Sequence, residues 1–290
     1  MRTAAALLLG LCFGGVASMA HGQSPANAPY TDVFYPSGSL RIQAYLYKPD
    51  GDGPFPVVIY NHGSRDGRER VSVPFEYVGR PLARAGYAVF VPERRGYGRS
   101  EGKEWREEVG KNQAGLIARL QAETDDVLAA LEYLRAVPFV DAKRIGIMGW
   151  SFGGIVTMLT VSRSAAFAVA VDQAGGALTW DRNAQVRNAL VAAAEKATTP
   201  TLFLVAENDR TTASITTLAE VFTRRGMPHR MVIYPPFTSS DGDASTAPGH
   251  KVFSAQGTKV WERDVLEFLG QYLGGSSSGT PGASGLGSPP

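Results

Sequence analysis

The chain has 290 residues, of which 44% are hydrophobic and 19% are charged, and its formal net charge at pH 7 is +2. This is the composition of an ordinary globular protein. The small net charge argues against a strongly charged partner, and the lack of a basic stripe argues against nucleic-acid binding.

The first 22 residues are typical of a secretory signal peptide. One arginine is followed by an apolar run and then by small residues, which is the layout of such a leader. Ala20-His21-Gly22 fits a small-x-small cleavage site that makes Gln23 the first mature residue, and cleavage after Ala20 is the alternative. Because the apolar run is shorter than the ~20 residues that a membrane span needs, we expect a secreted or periplasmic protein with no membrane span after cleavage.

One folded domain is predicted between this leader and a C-terminal tail. Cys12 is the only cysteine and leaves with the leader, so the mature chain has no disulfide, thiolate nucleophile or cysteine metal ligand. Residues 274–290 are almost all Gly, Ser and Pro and lack the apolar surface that folding requires, which predicts a disordered tail. Residues 23–273 remain, a length that suits one α/β domain.

Strand patterns recur along this domain. The first run alternates apolar and polar residues, as a half-buried strand does, and the later runs are continuously apolar. Continuous apolar strands indicate a mostly parallel sheet covered on both faces, here with a hairpin-like edge at its N-terminus. In chain order, the predicted strands are "LRIQAYLYKP", "PFPVVIYNHG", "GYAVFVPERRG", "KRIGIMGWS", "AFAVAVDQAGG", "PTLFLVAEND" and "HRMVIYPPF".

Helical patterns fill the gaps between the strands. The clearest helix is predicted over 113–136, with leucine and valine at helical spacing on one side and acidic residues on the other. "IVTMLTVSRS", "SITTLAEVFTRRG" and "QGTKVWERDVLEFLGQYL" predict further helices. The alternation predicts a doubly wound α/β fold with helices on both faces of the sheet. Residues 172–200 leave room for a minimal lid only, so we expect an open site.

"GWSFGG" at 149–154 places a serine between glycines, after a predicted strand and before a predicted helix. This is the pattern of a nucleophile elbow, in which a strained turn lifts the Ser151 hydroxyl above the sheet. The glycines lie where strand and helix pass too closely for a Cβ atom. The helix begins at Phe152, so its backbone N–H is predicted to stabilise an oxyanion.

A nucleophilic serine needs a base, which follows it in the chain on this type of fold. His21 lies in the leader, and His62 precedes the serine. His229 begins a strand and is therefore predicted at the wrong end of the sheet, since sites on open α/β sheets form at the carboxyl ends of the strands. His250, in the loop after that strand, is the predicted base.

The acid of the triad should follow the preceding strand. Two carboxylates stand there, and we favour Asp209 because it lies at the turn itself and is short enough for a fixed bond to imidazole. Glu207 is the first alternative and Asp172, after the strand before, is the second.

Two loops after earlier strands are predicted to surround the serine. "YNHGSRDG" at 60–67 should supply the second oxyanion donor, the backbone N–H of Ser64 or, alternatively, of Arg65. His62 is interpreted as a structural residue that holds this loop. In "PERRGYGRSEG", Arg94 and Arg95 are candidates to bind a substrate carboxylate, but we favour the interpretation that their ion pairs brace the loop.

The motifs "NHGS", "ERRGYGRSEG", "GWSFGG", "AENDRTT" and "PGHKVF" resemble, in order and spacing, those of α/β-hydrolases of the dienelactone hydrolase type. The catalytic domain of prolyl oligopeptidase-like enzymes is similar. The resemblance covers about residues 40–272 and implies the α/β-hydrolase fold. Dienelactone hydrolases proper use cysteine at the nucleophile position, where this chain has Ser151, and the stretch before the first strands has no room for the propeller of prolyl oligopeptidases. The resemblance therefore implies a general ester hydrolase.

Three functions compete on this evidence. A secreted serine carboxylesterase acting on a small ester or acyl substrate is favoured, because no acidic pair stands out to hold a substrate amine. A peptidase that releases small amino-terminal or acyl groups is the first alternative. A scaffold that binds without catalysis is the second, and it predicts a damaged triad. We find no motif for a metal or an organic cofactor and expect neither.

Overall fold

A computed structural model of the chain describes residues 28–65, 67–110, 113–242 and 245–274. The predicted leader, residues 1–22, lies outside the described residues, and so does the predicted tail apart from Gly274. The described strands, in chain order, are β1 (Thr31–Ser37), β2 (Leu40–Tyr47), β3 (Phe55–Asn61), β4 (Ala88–Glu93), β5 (Val140–Trp150), β6 (Val169–Gln173), β7 (Thr201–Ala206) and β8 (His229–Tyr234).

The strands form one eight-stranded sheet in the order β1-β2-β4-β3-β5-β6-β7-β8. β1 pairs with β2 and β2 pairs with β4 in antiparallel register, and every other neighbouring pair is parallel. The mostly parallel sheet with a hairpin at its N-terminal edge is therefore confirmed. β1 itself precedes the first strand that we predicted and was missed.

Helices cover both faces of the sheet, as predicted. α1 and α7 pack on one face, whereas α3, α4 and α6 pack on the other, and α5 lies against α4 and α6. Residues such as Val57, Val58 and Ile59 of β3 are therefore fully buried whichever way their side chains point, which explains the continuous apolar runs. The described helices are α1 (Glu76–Arg84), α2 (Trp105–Glu108), α3 (Leu116–Arg135), α4 (Phe152–Val161), α5 (Ala184–Ala194), α6 (Ala213–Arg224) and α7 (Thr258–Leu273).

Helix α3 differs from its prediction in one respect. A short 3₁₀ turn, Gln113–Gly115, precedes it. The apolar side chains on which its prediction rests are buried as expected: Leu116, Leu120, Val127, Leu131 and Leu134. Its acidic side chains are not all turned to solvent, because Glu123 and Asp126 have no exposed surface. They can be buried because arginines from the segment after β4 pair with them.

Candidate active site

The chain turns sharply between β5 and α4, and Ser151 occupies the turn. Its backbone has φ 58° and ψ −117°, a combination that is strained for any residue with a side chain. A Cβ atom at Gly149 would overlap the carbonyl oxygen of Gly153, and one at Gly153 would overlap that of Asn61 in β3. The glycines are thus required by close backbone approach, and they allow the serine to stand above the carboxyl end of the sheet.

Ser151, His250 and Asp209 form a continuous chain of hydrogen bonds. Nε2 of His250 lies 2.8 Å from Oγ of Ser151, and Nδ1 lies 2.8 Å from Oδ2 of Asp209. Because a carboxylate only accepts hydrogen bonds, Nδ1 carries the imidazole proton and Nε2 is free to accept one from the serine hydroxyl. The other oxygen of Asp209 accepts a bond of 2.6 Å from the backbone N–H of Arg210, which fixes the carboxylate in place.

The alternative acids and base lie elsewhere. Glu207 is exposed, and its backbone N–H donates to the carbonyl of Tyr234 at the end of β8. Asp172 is buried in β6 and accepts a bond from the N–H of Gly175. His229 starts β8 at the opposite end of the sheet, where its ring contacts the hydroxyl of Thr223. The structure therefore brings together the three residues that the sequence favoured.

Both predicted oxyanion donors lie beside the serine. A Cβ atom added to Gly63 would lie 3.5 Å from Cβ of Ser151, so the loop after β3 passes directly by it. Within the described residues, nothing accepts a hydrogen bond from the backbone N–H of Ser64 or of Phe152. The backbone N–H of Arg65, the alternative donor, also has no acceptor among the described residues. Ser64 is favoured because it lines the same pocket as Ser151, whereas Arg65 does not.

An apolar pocket of about 260 Å³ opens beside Ser151. Its walls come from the elbow, from the connection between β4 and α3, and from the connection between β6 and α5. Trp105 packs edge-on against Phe152, with ring centroids 4.7 Å apart. Each residue that lines this pocket is uncharged: Ser64, Trp105, Leu116, Ser151, Phe152, Ile155, Gly176, Leu178, Thr179, Asn183 and Val186.

The predicted substrate-binding role of Arg94 and Arg95 needs correction, since neither residue lines this pocket. Arg94 has no exposed surface, and its Nε donates to Glu123 over 2.7 Å. Arg95 forms two hydrogen bonds with the buried carboxylate of Asp126, of 2.8 and 2.9 Å. The interpretation that their ion pairs brace the loop describes both residues correctly. The carboxylates that pair with them belong to α3 and were not expected to face inward.

His62 has the structural position that we predicted. Its ring has no exposed surface, stacks on Phe75 and donates from Nδ1 to the carbonyl of Gly63 over 2.7 Å. Burial and the neighbouring guanidinium groups of Arg94 and Arg65 hold the pKa of His62 well below its ordinary value. The imidazole is therefore neutral. Its one ring proton lies on Nδ1, which donates to the carbonyl of Gly63.

Comparison with known proteins gives this arrangement a family. A model of the dienelactone hydrolase family matches residues 42–273, which include every residue of the site described above. The chain belongs to the dienelactone hydrolase family. It is thus a member of a hydrolase family, with serine in place of the cysteine that gives dienelactone hydrolases proper their nucleophile.

Curated relatives of this family member include peptidases. The chain is 25% identical over 267 residues to dipeptidyl-peptidase 5 of Porphyromonas gingivalis, a match that covers 81% of this chain and 36% of that protein. It spans less than half the length of the curated relatives that it matches.

Solved structures show the same fold. Pyrococcus horikoshii acylaminoacyl peptidase superposes with a TM-score of 0.65 at 18% identity, over 87% of this chain and 42% of that one. The Pyrococcus furiosus esterase Pf2001 superposes with a TM-score of 0.59 at 17% identity, over 84% of this chain and 92% of that one. Sequence similarity at this level supports the α/β-hydrolase fold alone.

Sequence reasoning missed the outer wall of the pocket in this dienelactone hydrolase family member. Trp105 lies in the short helix α2, and Leu116 begins α3; both reach the pocket from a segment that carries no strand signal. The expected lid, residues 172–200, supplies only the opposite wall. The one available signal is a tryptophan among charged residues in "KEWREE", because a large aromatic side chain in an irregular segment usually has a packing partner.

No group of three or more His, Cys, Asp or Glu side chains suited to a metal ion occurs in the described ranges. None of the helices in those ranges combines the length and the apolar character needed to cross a bilayer.

The buried carboxyl of Asp172 makes stability depend on pH. Desolvation by burial raises its pKa from 3.8 to about 7, although the N–H of Gly175 opposes the rise. A group whose pKa is higher in the folded than in the unfolded state stabilises the fold when it is protonated. This contribution is fully present below the unfolded-state pKa and is lost as pH rises through the folded-state pKa. We therefore expect the free energy of unfolding to lose on the order of 4 kcal/mol from this group between pH ~4 and pH ~7.

Asp172→Asn removes this titration while keeping an oxygen that can accept from Gly175. Its stability relative to the parent protein should therefore rise with pH, by up to ~1.4 kcal/mol per pH unit. Urea unfolding of both proteins at several pH values between 5 and 8 measures the difference. A difference that stays constant with pH would show that the carboxyl titrates normally in the folded state.

Proposed function

We propose that this chain is a secreted serine carboxylesterase that acts on neutral esters with an apolar acyl group. The observation that supports the proposal is the hydrogen-bonded chain from Ser151 through His250 to Asp209 at the mouth of a pocket lined by uncharged side chains. Secretion rests on the predicted leader, residues 1–22.

The geometry suggests the chemistry in two steps. As Oγ of Ser151 attacks the ester carbonyl carbon, its proton passes to Nε2 of His250, and Asp209 stabilises the imidazolium that forms. The carbonyl oxygen becomes an oxyanion, which the N–H groups of Phe152 and Ser64 are placed to bind. The imidazolium then protonates the leaving alkoxide, and an acyl group remains on Ser151. A water molecule activated by His250 releases this acyl group by the same route in reverse.

The pocket favours esters over peptides with a free amino terminus. An ammonium group that enters an apolar pocket without a carboxylate partner loses its hydration and gains nothing in return. No carboxylate lines the pocket, and three buried ones close to the site already have partners, since Asp209 holds His250 and guanidinium groups hold Glu93 and Glu123. An apolar acyl chain, in contrast, gains by burial against Trp105 and the aliphatic side chains.

A peptidase is the second candidate, and the match to a dipeptidyl-peptidase over most of the chain supports it. The two candidates share the same nucleophile and differ in what the pocket accepts. The scaffold alternative is the weakest of the three, because a protein that only binds has no need of a strained serine hydrogen-bonded to histidine.

Matched substrates can separate the esterase from the peptidase. Ethyl esters and anilides of the same hexanoyl group, and an anilide of a dipeptide with a free amine, form the panel. Ethyl esters are chosen because their leaving group is not activated. We expect kcat/KM to be highest for the hexanoyl ester. We expect kcat/KM for the hexanoyl anilide to exceed that for the free-amine anilide by roughly 10²-fold or more, the cost of an unpaired charge in an apolar pocket.

Leu178→Asp is the matched pocket variant, since Leu178 is half-buried in the pocket wall and takes no part in the hydrogen bonds among Ser151, His250 and Asp209. It should lower the rate on the hexanoyl ester and narrow the gap to the free-amine substrate. Ser151→Ala supplies the background rate. Turnover of the free-amine anilide at or above the ester rate by the unmodified protein would favour the peptidase.

A further inference from the structure

Arg94 is a fully buried cation directly behind the loop that carries Ser64. Nη2 of Arg94 donates to the carbonyl of His62 over 2.9 Å, and Nε donates to Oε2 of Glu123 over 2.7 Å. Neither side chain of the ion pair has any exposed surface. The loop is therefore attached through its own backbone to a charge that cannot move into solvent.

The bond to a carbonyl also sets the direction of an N–H. A peptide unit is planar and trans, so its N–H points opposite to its C=O. Arg94 holds the carbonyl of His62, and the ring of His62 holds the carbonyl of Gly63. Both carbonyls are thus held away from the N–H groups of Gly63 and Ser64. Those N–H groups belong to the part of the loop that lies against Ser151 and the pocket.

Glu123 fixes Arg94 to the rest of the domain. Its second oxygen accepts a bond of 2.9 Å from Nε of Arg119, one turn earlier in α3. Arg119 in turn donates to the backbone carbonyls of Lys103 and Arg95, over 2.9 and 2.6 Å. The guanidinium of Arg94 is therefore held from the side of the helix as well as from the side of the loop.

Arg94 also lies beside the second donor. Its guanidinium carbon is 5.8 Å from the centroid of the Phe152 ring, close enough for a cation–π contact. One side chain thus contacts the residue before Gly63-Ser64 and the residue that follows the nucleophile. A buried ion pair adds little to stability, because desolvation of both charges offsets their attraction. Its location, rather than its energy, distinguishes this pair.

We propose that Arg94 is a positioning residue for the oxyanion hole. By holding the carbonyl of His62 it orients the first peptide of the loop, and with the His62 ring it sets the direction of the Ser64 N–H toward the developing oxyanion. This inference rests on the proposed function. It predicts that Arg94 affects the rate of attack by Ser151 and leaves ground-state binding in the pocket unchanged.

Arg94→Met tests the inference, with Arg95→Met as the matched control. Arg95 is the next residue, and its ion pair with Asp126 braces the same segment. Both described hydrogen bonds of its side chain go to Asp126 instead of to the loop of Ser64. The first measurement is the rate at which a fluorophosphonate labels Ser151, which needs the nucleophile and the oxyanion donors but no ester substrate. We expect Arg94→Met to slow labelling by about 10- to 100-fold, part of the 10²–10³ that loss of a donor costs.

A second measurement separates positioning from a general loss of structure. For Arg94→Met, kcat on the best ester should fall while KM stays within about threefold of the parent value. The inhibition constant of a trifluoromethyl ketone should rise in proportion to the loss of kcat/KM, because its adduct with Ser151 places an oxyanion in the hole. Equal labelling rates for Arg94→Met and Arg95→Met, or a loss confined to KM, would overturn the inference and leave the proposed function intact. A parent protein whose Ser151 is not labelled at all would overturn both.

Arg94→Lys keeps the test decisive if the methionine variant does not fold. Lysine retains the charge beside Glu123 but has one nitrogen, which cannot reach that carboxylate and the His62 carbonyl with the same fork geometry. Labelling should slow by at least about threefold at an unchanged circular dichroism spectrum, since even a 1 Å misplacement of a supporting group reduces rate. A rate equal to that of the parent protein would overturn the inference.

Discussion

Replacing Ser151 by alanine is expected to lower the rate of ester hydrolysis by about 10⁴-fold or more, because the members of a hydrogen-bonded catalytic unit do not act independently. Alanine keeps the Cβ atom and therefore leaves the strained turn as it is, so the loss should come from the missing Oγ alone. Initial rates on the hexanoyl ethyl ester measure the effect, with circular dichroism and thermal unfolding to show that the variant is folded.

Labelling gives an independent test of the same residue. A fluorophosphonate should modify the intact protein once, at Ser151, and should not modify Ser151→Ala. His229→Ala is the control for loss of a histidine outside the site, since His229 lies at the far end of the sheet. Its rate of ester hydrolysis should stay within a few-fold of that of the parent protein. Residual activity of Ser151→Ala near the parent level, or modification of another serine, would contradict the assignment of the nucleophile.

The fold was predictable from the sequence because its signals are local. Continuous apolar runs in β3 to β7 follow from burial on both faces of the sheet. Gly149 follows from the close approach of β5 to α4, and Gly153 follows from the close approach of α4 to the end of β3. β1 was missed because it lies at the edge of the sheet and carries a proline, Pro36. Such a strand depends on its partner β2 more than on its own pattern.

The site was predictable only as far as chain order and strand ends determine it. Ser151, His250 and Asp209 each follow a strand at the carboxyl edge of the sheet, and this edge is where the structure brings them together. The partner of Arg94, Glu123, could not be predicted because it is 29 residues away on a helix. Helical periodicity predicts that acidic residues face solvent. It contains no information about a cation from another element that allows them to be buried.

Two kinds of local conflict mark the same site from opposite sides. The turn at Ser151 is strained, and the ion pair behind the oxyanion loop is buried; neither is what local rules would select. Both become understandable when the reacting atoms are placed between them. In the proposed mechanism, the strain lifts the Ser151 hydroxyl toward the substrate, and the buried pair holds the facing backbone of the loop after β3 in place.

Replacing Asp209 by asparagine is the change with the second large expected effect. The carboxylate holds His250 with the proton on Nδ1 and stabilises the imidazolium formed during attack. An amide of the same shape donates from its nitrogen and so favours the tautomer whose proton is on Nε2, where it blocks proton transfer from Ser151. The expected loss in kcat is on the order of 10⁴-fold.

Two matched variants decide whether this loss is specific to the position. Glu207→Gln changes an exposed carboxylate two residues away, and Asp172→Asn changes a buried carboxylate that contacts Gly175 instead of histidine. Both should retain activity within a few-fold of the parent protein, although Asp172→Asn is expected to shift stability with pH. All three variants are compared by circular dichroism first, since unfolding would imitate a catalytic loss. If Glu207→Gln or Asp172→Asn were the inactive variant and Asp209→Asn were active, the hydrogen bond of 2.8 Å between Asp209 and His250 would be structural, and the acid of the site would have to be sought among those two carboxylates.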